Sequence, residues 1–339
     1  MAPSRRFFAL LTTALVAALP SQGGYLNPVY GADSPDPGVV FDSATSLWWA
    51  TTTTGDAPDR FLLHSSPDLS NFTARGFIWP RGAAGAPSWG ASDFWAPEIH
   101  AVGKGFVLYF VARTHAGVLS VGAAVSTTGA VTGPYSDIGA PLVGDTSMGQ
   151  IDPTYFLDVN GTPYLIWKED GNAVGARTPI HYAQLTPNGT ALAPGGPAWR
   201  STQLITNDLP WEGSIIEAPW MTRFGTEYYL FYSANDYTQH YCVSVARAPT
   251  PTGPFVKLGT PLMTTSTATK PTWTAPGHCS VVEAADGGWA MVYHAWRTAD
   301  RNSGRQMLMD RVEWPAGTDG TWPAMTAGDA PTDTEQPLP

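Results

Sequence analysis

Residues 211–237 read WEGSIIEAPWMTRFGTEYYLFYSANDY. Glu217 stands in an apolar run, with Ile215 and Ile216 before it and Ala218, Pro219 and Trp220 after it. An apolar setting favours the neutral form of a carboxyl group, and a carboxyl that keeps its proton near neutral pH is suited to general acid work. A polar break follows at residues 223–226. Tyr228 to Tyr232 then forms an aromatic run of strand-forming residues. The stretch therefore predicts an acid-bearing strand, a tight turn and an aromatic strand.

The same grammar recurs along the chain. Asp36-Pro37 leads to Leu47-Trp48-Trp49-Ala50, and Trp95-Ala96-Pro97-Glu98 leads to Phe106-Val107-Leu108-Tyr109-Phe110. Asp152-Pro153 leads to Tyr164-Leu165-Ile166-Trp167, and His278-Cys279 leads to Trp289-Ala290-Met291-Val292-Tyr293. Taken at 36, 98, 152, 217 and 278, the anchors lie 62, 54, 65 and 61 residues apart. A second repeat keeps the register: TGPYSDIGAPL at 132–142 and TGPFVKLGTPL at 252–262. Repeats of several short strands, none able to bury a core alone, predict an all-β, five-bladed β-propeller. In a propeller the innermost strands face the axis, so polar groups at the anchors converge on one funnel.

Composition narrows the partners. Of 339 residues only 14% are charged, and the net charge is −10, which argues against nucleic acid or an anionic membrane surface. The 14 Trp, 13 Tyr and 13 Phe suit blade packing and sugar stacking. Arg5 and Arg6 precede an apolar stretch of 13 residues, Phe7 to Leu19, too short to span a bilayer. Residues 1–21 therefore read as a secretory signal peptide, and the mature protein as extracellular. Residues 24–327 form the catalytic propeller and 328–339 a flexible tail. The two cysteines, Cys242 and Cys279, are either a disulfide between neighbouring blades or two buried thiols.

Asp36 in Asp33-Ser34-Pro35-Asp36-Pro37, Asp152 in Ile151-Asp152-Pro153 and Glu217 in Glu217-Ala218-Pro219 resemble the three acidic motifs of glycoside hydrolase family 43. Trp95-Ala96-Pro97-Glu98, Gly277-His278, and the closing segments Tyr293-His294-Ala295-Trp296 and Gly304-Arg305-Gln306-Met307 extend the resemblance over nearly the whole mature chain. It implies a five-bladed propeller that hydrolyses glycosides with inversion at the anomeric carbon. By that resemblance Asp36 is the general base, Glu217 the general acid, and Asp152 the third carboxylate, which orients Glu217. An inverting pair stands about 6.5–9.5 Å apart, leaving room for water. Asp33 is a rival for the base and Glu212 for the acid.

Trp95, Trp220 and Trp296 are expected to close a small pocket around one furanose ring, with Glu98 and Arg305 also on the substrate. Glu98 is read either as a substrate contact or as a structural carboxylate. His278 is either a core histidine or, as the family resemblance implies, a neighbour of a hydrated structural calcium ion. No cofactor is required for the chemistry. Tyr164 to Asn172, YLIWKEDGN, is similar to the exo-1,5-α-L-arabinofuranosidase branch of the family. That implies an exo-acting enzyme releasing L-arabinose from arabinan or arabinoxylan of plant cell walls, and a monomer is expected. The alternatives are an endo-arabinanase, a β-xylosidase, or a carbohydrate-binding propeller without catalysis.

Overall fold

The structure is a computed structural model describing residues 23–144, 148–315 and 320–339; the signal peptide expected over residues 1–21 lies outside them. Five four-stranded antiparallel sheets follow one another in chain order. Their innermost strands are Gly38–Asp42, Gly90–Val102, Gln150–Leu157, Ile216–Phe224 and Trp273–Glu283. The sheets are the blades of the expected all-β propeller. In the fourth blade the polar break is a two-residue hairpin loop, Gly225-Thr226, between Ile216–Phe224 and Glu227–Ala234. Gly225 adopts φ +60°, a left-handed conformation open to glycine without steric cost.

The blades are buried on both faces, which is why their strands read as continuous apolar runs rather than alternating ones. Along Gly105–Thr114, Leu108 and Phe110 enter the core shared with blade one, while Tyr109 enters the core shared with blade three. Tyr229 and Phe231 face blade five, whereas Leu230 and Tyr232 face blade three. Such cores lie between every neighbouring pair of blades, and the one around Trp48, Val292 and Met307 joins the last blade to the first. The two cysteines sit in different cores, Cys242 between blades three and four and Cys279 between four and five. The sheet of blade four separates them, so both are buried free thiols.

The structural repeat has a different register from the one drawn from the acidic residues. A non-glycine residue with positive φ precedes proline at Asp36, Ala96, Asp152, Ala218 and Ala275. On blades two to five the pairing with the second strand shifts across this dipeptide, making a bulge. Such backbone costs about 1–3 kcal/mol per residue and persists only where the surroundings fix it. Neighbouring segments do so. The bulge N–H of Asp36 donates to His294 Nδ1, that of Ala96 to Thr53 Oγ1, that of Ala218 to Asp152 Oδ2 and that of Ala275 to Thr265 Oγ1. Asp36 and Asp152 occupy the bulge itself. Glu217 precedes it by one residue, Glu98 follows by two and His278 by three.

Residues 328–339, expected as a flexible tail, are tied down. Gln336–Pro337 pairs with Gly24–Tyr25. Thr332 is buried, its hydroxyl bonded to Asp310 and accepting from Asn27 Nδ2. Proline and threonine content signalled a lack of helix or blade strand there, but one short pairing and one buried polar contact suffice to anchor the segment.

Candidate active site

The axial funnel opens into a cavity of about 320 Å³. Six of the nine residues expected at the site line it: Asp36, Trp95, Asp152, Glu217, His278 and Arg305. The other three do not, and strand geometry explains each. Glu98 lies two residues deeper than its bulge, buried, with Oε2 2.6 Å from His100 Nε2. Trp220 points into the core between blades four and five, and its Nε1 donates to the Val281 carbonyl at 2.8 Å. Trp296 stands behind the rim. Its Nε1 donates to the carbonyl of Tyr237, so Tyr237 rather than Trp296 presents an aromatic face to the cavity.

Asp36 is held from several sides. Arg305 Nη1 donates to Oδ1 at 2.9 Å and Thr53 Oγ1 to Oδ2 at 2.7 Å, with His278 Nδ1 3.4 Å from Oδ1. Burial pushes this carboxyl up, but Arg305, His278 and Thr53 outweigh it and hold Asp36 well below the usual carboxylate range. His294 Nδ1 is 3.3 Å from the same carboxylate. It is not a charge partner, because it accepts the Asp36 backbone N–H. Burial, with Arg305 nearby, also pushes the ring far below the ordinary histidine value, which keeps it neutral. The rival Asp33 is exposed at the mouth and accepts the backbone N–H of Arg305 at 2.8 Å. The rival Glu212 is fully buried elsewhere, bound by Lys257 and Tyr232.

Glu217 does not sit in an apolar setting. Lys168 Nζ donates to its Oε2 at 2.8 Å and the Tyr241 hydroxyl to its Oε1 at 2.8 Å. Successive side chains on a strand point to opposite sides. The apolar neighbours Ile216 and Ala218 are themselves buried and leave Glu217 facing polar groups. Burial, and then the nearby carboxylates, push the Tyr241 phenol well above its ordinary value, so it remains a donor. Tyr241 lies flat against His294, with ring centroids 5.7 Å apart. Gly277 makes room for it, since a Cβ there would come within 1.9 Å of the Tyr241 ring.

Asp152 accepts the N–H of Ala218, so it fixes the backbone beside Glu217. Burial pushes its carboxyl up to about 7; Glu217 and Asp36 add to that, while His278 and Lys168 oppose it. Raised above the ordinary 3.8, this group favours the folded state fully below about pH 4, and that contribution is lost as pH rises through about 7. Asp152→Asn, which never has to ionise, is therefore expected to unfold at a higher temperature than wild type at pH 8.5. The gain is on the order of 2–4 kcal/mol and shrinks to nothing near pH 4. Equal melting midpoints across that range would show that Asp152 ionises without strain.

The profile of glycosyl hydrolases family 43 matches residues 25–322. The chain belongs to that family. An extracellular exo-α-(1→5)-L-arabinofuranosidase of Streptomyces avermitilis is 26% identical, over 94% of this chain and 69% of its own length. A β-D-galactofuranosidase of Aspergillus niger is 29% identical, over 79% of this chain and 75% of its own. A thermostable family-43 glycoside hydrolase of known crystal structure superposes with a TM-score of 0.79 at 28% identity, covering 93% of this chain and 99% of that one.

This family 43 glycoside hydrolase places several further residues in its cavity that the acidic motifs did not mark, among them Thr53, Lys168, Asp170, Tyr237 and Tyr241. For Lys168 a signal existed: a lysine inside YLIWKE, a strand with no exposed position, has to meet a buried anion. A calcium ion takes six to eight oxygen ligands. His278, expected beside a hydrated one, lines the cavity. Its Nδ1 faces Asp36, and among the described residues no three His, Cys, Asp or Glu side chains are grouped to hold a metal. No helix among the described residues is long and apolar enough to cross a membrane.

Proposed function

We propose that this glycoside hydrolase is an exo-acting, inverting α-L-arabinofuranosidase that releases L-arabinose from the ends of α-1,5-linked arabinan or from arabinoxylan side chains. The observation that carries this reading is the cavity itself: at about 320 Å³ it is at the small end of ligand pockets, and Asp36, Asp152 and Glu217 share it. That volume suits one furanose ring rather than a bound polymer. Trp95, Ile151, Ile215 and Tyr237 supply apolar wall, and the carboxylates, Lys168 and Arg305 supply hydroxyl partners. The Streptomyces relative supports the sugar.

In this reading Asp36 takes a proton from a water molecule as the water oxygen attacks the anomeric carbon. The glycosidic bond breaks on the opposite face of the ring, and its oxygen takes the proton carried by Glu217. Asp152 positions the strand that carries Glu217. Asp36 and Glu217 thus balance the protons between them, and the chemistry asks for no cofactor. A stoichiometric metal in elemental analysis of active enzyme would count against this last point. The basic leader and the extracellular relative support secretion, and the single compact propeller supports a monomer.

Linear arabinan is expected to yield arabinose alone from the first minutes, with the β-anomer of the free sugar appearing first by NMR. A ladder of arabino-oligosaccharides would replace the reading with an endo-arabinanase. Activity confined to aryl xyloside would replace it with a β-xylosidase, and activity confined to aryl galactofuranoside with the specificity of the Aspergillus relative.

A further inference from the structure

Lys168 is 1% exposed, yet it carries a charge into the floor of the cavity. Its ammonium stands 2.8 Å from Glu217 Oε2 and 2.8 Å from Asp170 Oδ1. Taking an ion pair out of water is costly, and a packing role alone would be met by a methionine of similar length. Burial pulls this amine down, but Glu217, Asp170 and Asp152 outweigh it, so the ammonium stays charged. The lysine lies at the end of the second strand of blade three, Pro163–Glu169, and Asp170 opens the turn Gly171–Val174 that carries the wall residue Asn172.

We propose that Lys168 is a positioning residue for the acid: it fixes the carboxyl of Glu217 from one side and stabilises the negative charge that grows there as the proton departs. This rests on the assignment of Glu217 as the general acid. An acid that must release its proton in the transition state gains from a cation placed where its charge develops. Asp170 sets how much of that cation Glu217 feels, because the two carboxylates divide one ammonium. The other charged or titratable groups around Glu217 are Asp152 and Tyr241, and across the cavity Asp36, His278 and Arg305. None of these is cationic and in hydrogen-bond contact with the acid. Lys168 and the Tyr241 hydroxyl occupy the two carboxyl oxygens, one each.

The two neighbours of the acid make opposite predictions. Lys168→Met keeps the stem and removes the charge, so the alkaline limb of kcat/KM on arabino-oligosaccharides is expected to move up by about 1–2 pH units. kcat on that substrate should fall about 10-fold or more, with a smaller loss on aryl glycosides carrying a good leaving group. Asp170→Asn leaves the whole ammonium to Glu217, and the same limb is expected to move down. Lys168→Arg, which keeps the charge, should leave the limb nearer wild type than Lys168→Met does. Melting curves identify any variant that fails to fold; if Lys168→Met fails, the downward shift in Asp170→Asn still decides the matter. An unmoved limb in a folded Lys168→Met, or shifts of the same sign in both variants, overturns the proposal. Failure of the underlying assignment is read separately: Glu217→Ala would then show no dependence on the leaving group.

Discussion

Asp36→Asn is expected to remove turnover on every glycoside, natural or activated, by about 10⁴-fold, the upper end for a single acid–base group. Activated leaving groups give no relief, because the missing step is the activation of water and not the protonation of the departing oxygen. The asparagine is nearly isosteric, so Thr53 and Arg305 keep an oxygen or nitrogen to face. What is lost is the charge that Arg305 and His278 hold ionised. The same two neighbours make a second consequence measurable in wild type: the acid limb of kcat/KM should lie below the ordinary carboxylate range, since Asp36 stays ionised there. Substrate binding, followed by quenching of tryptophan fluorescence, should survive the substitution, whereas the melting temperature at neutral pH should fall, because the charge held by Arg305 and His278 contributes to the folded state. Residual activity near wild type in a folded Asp36→Asn would remove the base from this position. Asp33, which caps the Arg305 backbone from outside the cavity, would then be tested next.

The blades were legible in the sequence because each is covered on both faces, so its aromatic strands are long, unbroken and evenly spaced. The register of the inner strands was only half legible. Aligning the ionisable residues placed Glu98 and His278 level with Asp36 and Asp152, whereas the backbone repeats at the residue before proline. That signal stands in the sequence as Asp36-Pro37, Ala96-Pro97, Asp152-Pro153, Ala218-Pro219 and Ala275-Pro276. On this register the position before the bulge is Trp95, Ile151 and Glu217 in blades two to four, and all three line the cavity. The position of Glu98 is deeper, which takes it out of the cavity and against His100.

Side-chain surroundings were the least legible part, for a simple reason. Sequence neighbours of a strand residue point away from it, so the apolar company of Glu217 said nothing about what the carboxyl touches. Lys168 and Tyr241 come from 49 residues before it and 24 residues after it. The tryptophans failed in the same way. Trp220 is three residues from Glu217 in sequence, yet it packs between two sheets, while Tyr237 reaches the cavity from a loop pinned by Trp296 and Arg301.

Glu217→Ala is expected to slow hydrolysis of arabino-oligosaccharides by about 10²–10⁴-fold, the usual worth of general acid catalysis. The loss on aryl glycosides with good leaving groups should be smaller by at least about 10-fold, because such groups depart without a proton. The substitution also leaves Lys168 with Asp170 as its remaining direct anionic contact and removes a hydrogen-bond acceptor from the Tyr241 hydroxyl. Some loss of stability is therefore expected, and a stability loss alone would slow both substrates alike. Glu217→Gln separates the two effects. Its amide oxygen can still accept from Lys168 or Tyr241, so it should recover part of the melting temperature while remaining as poor an acid as alanine. A further consequence follows for Asp152, whose carboxyl is pushed up partly by Glu217. With that charge gone, Asp152 should titrate lower, and the wild-type stability loss between pH 4 and about 7 should narrow from its upper end. Equal and small losses on natural and activated substrates, in a variant that folds, would take the acid role away from Glu217.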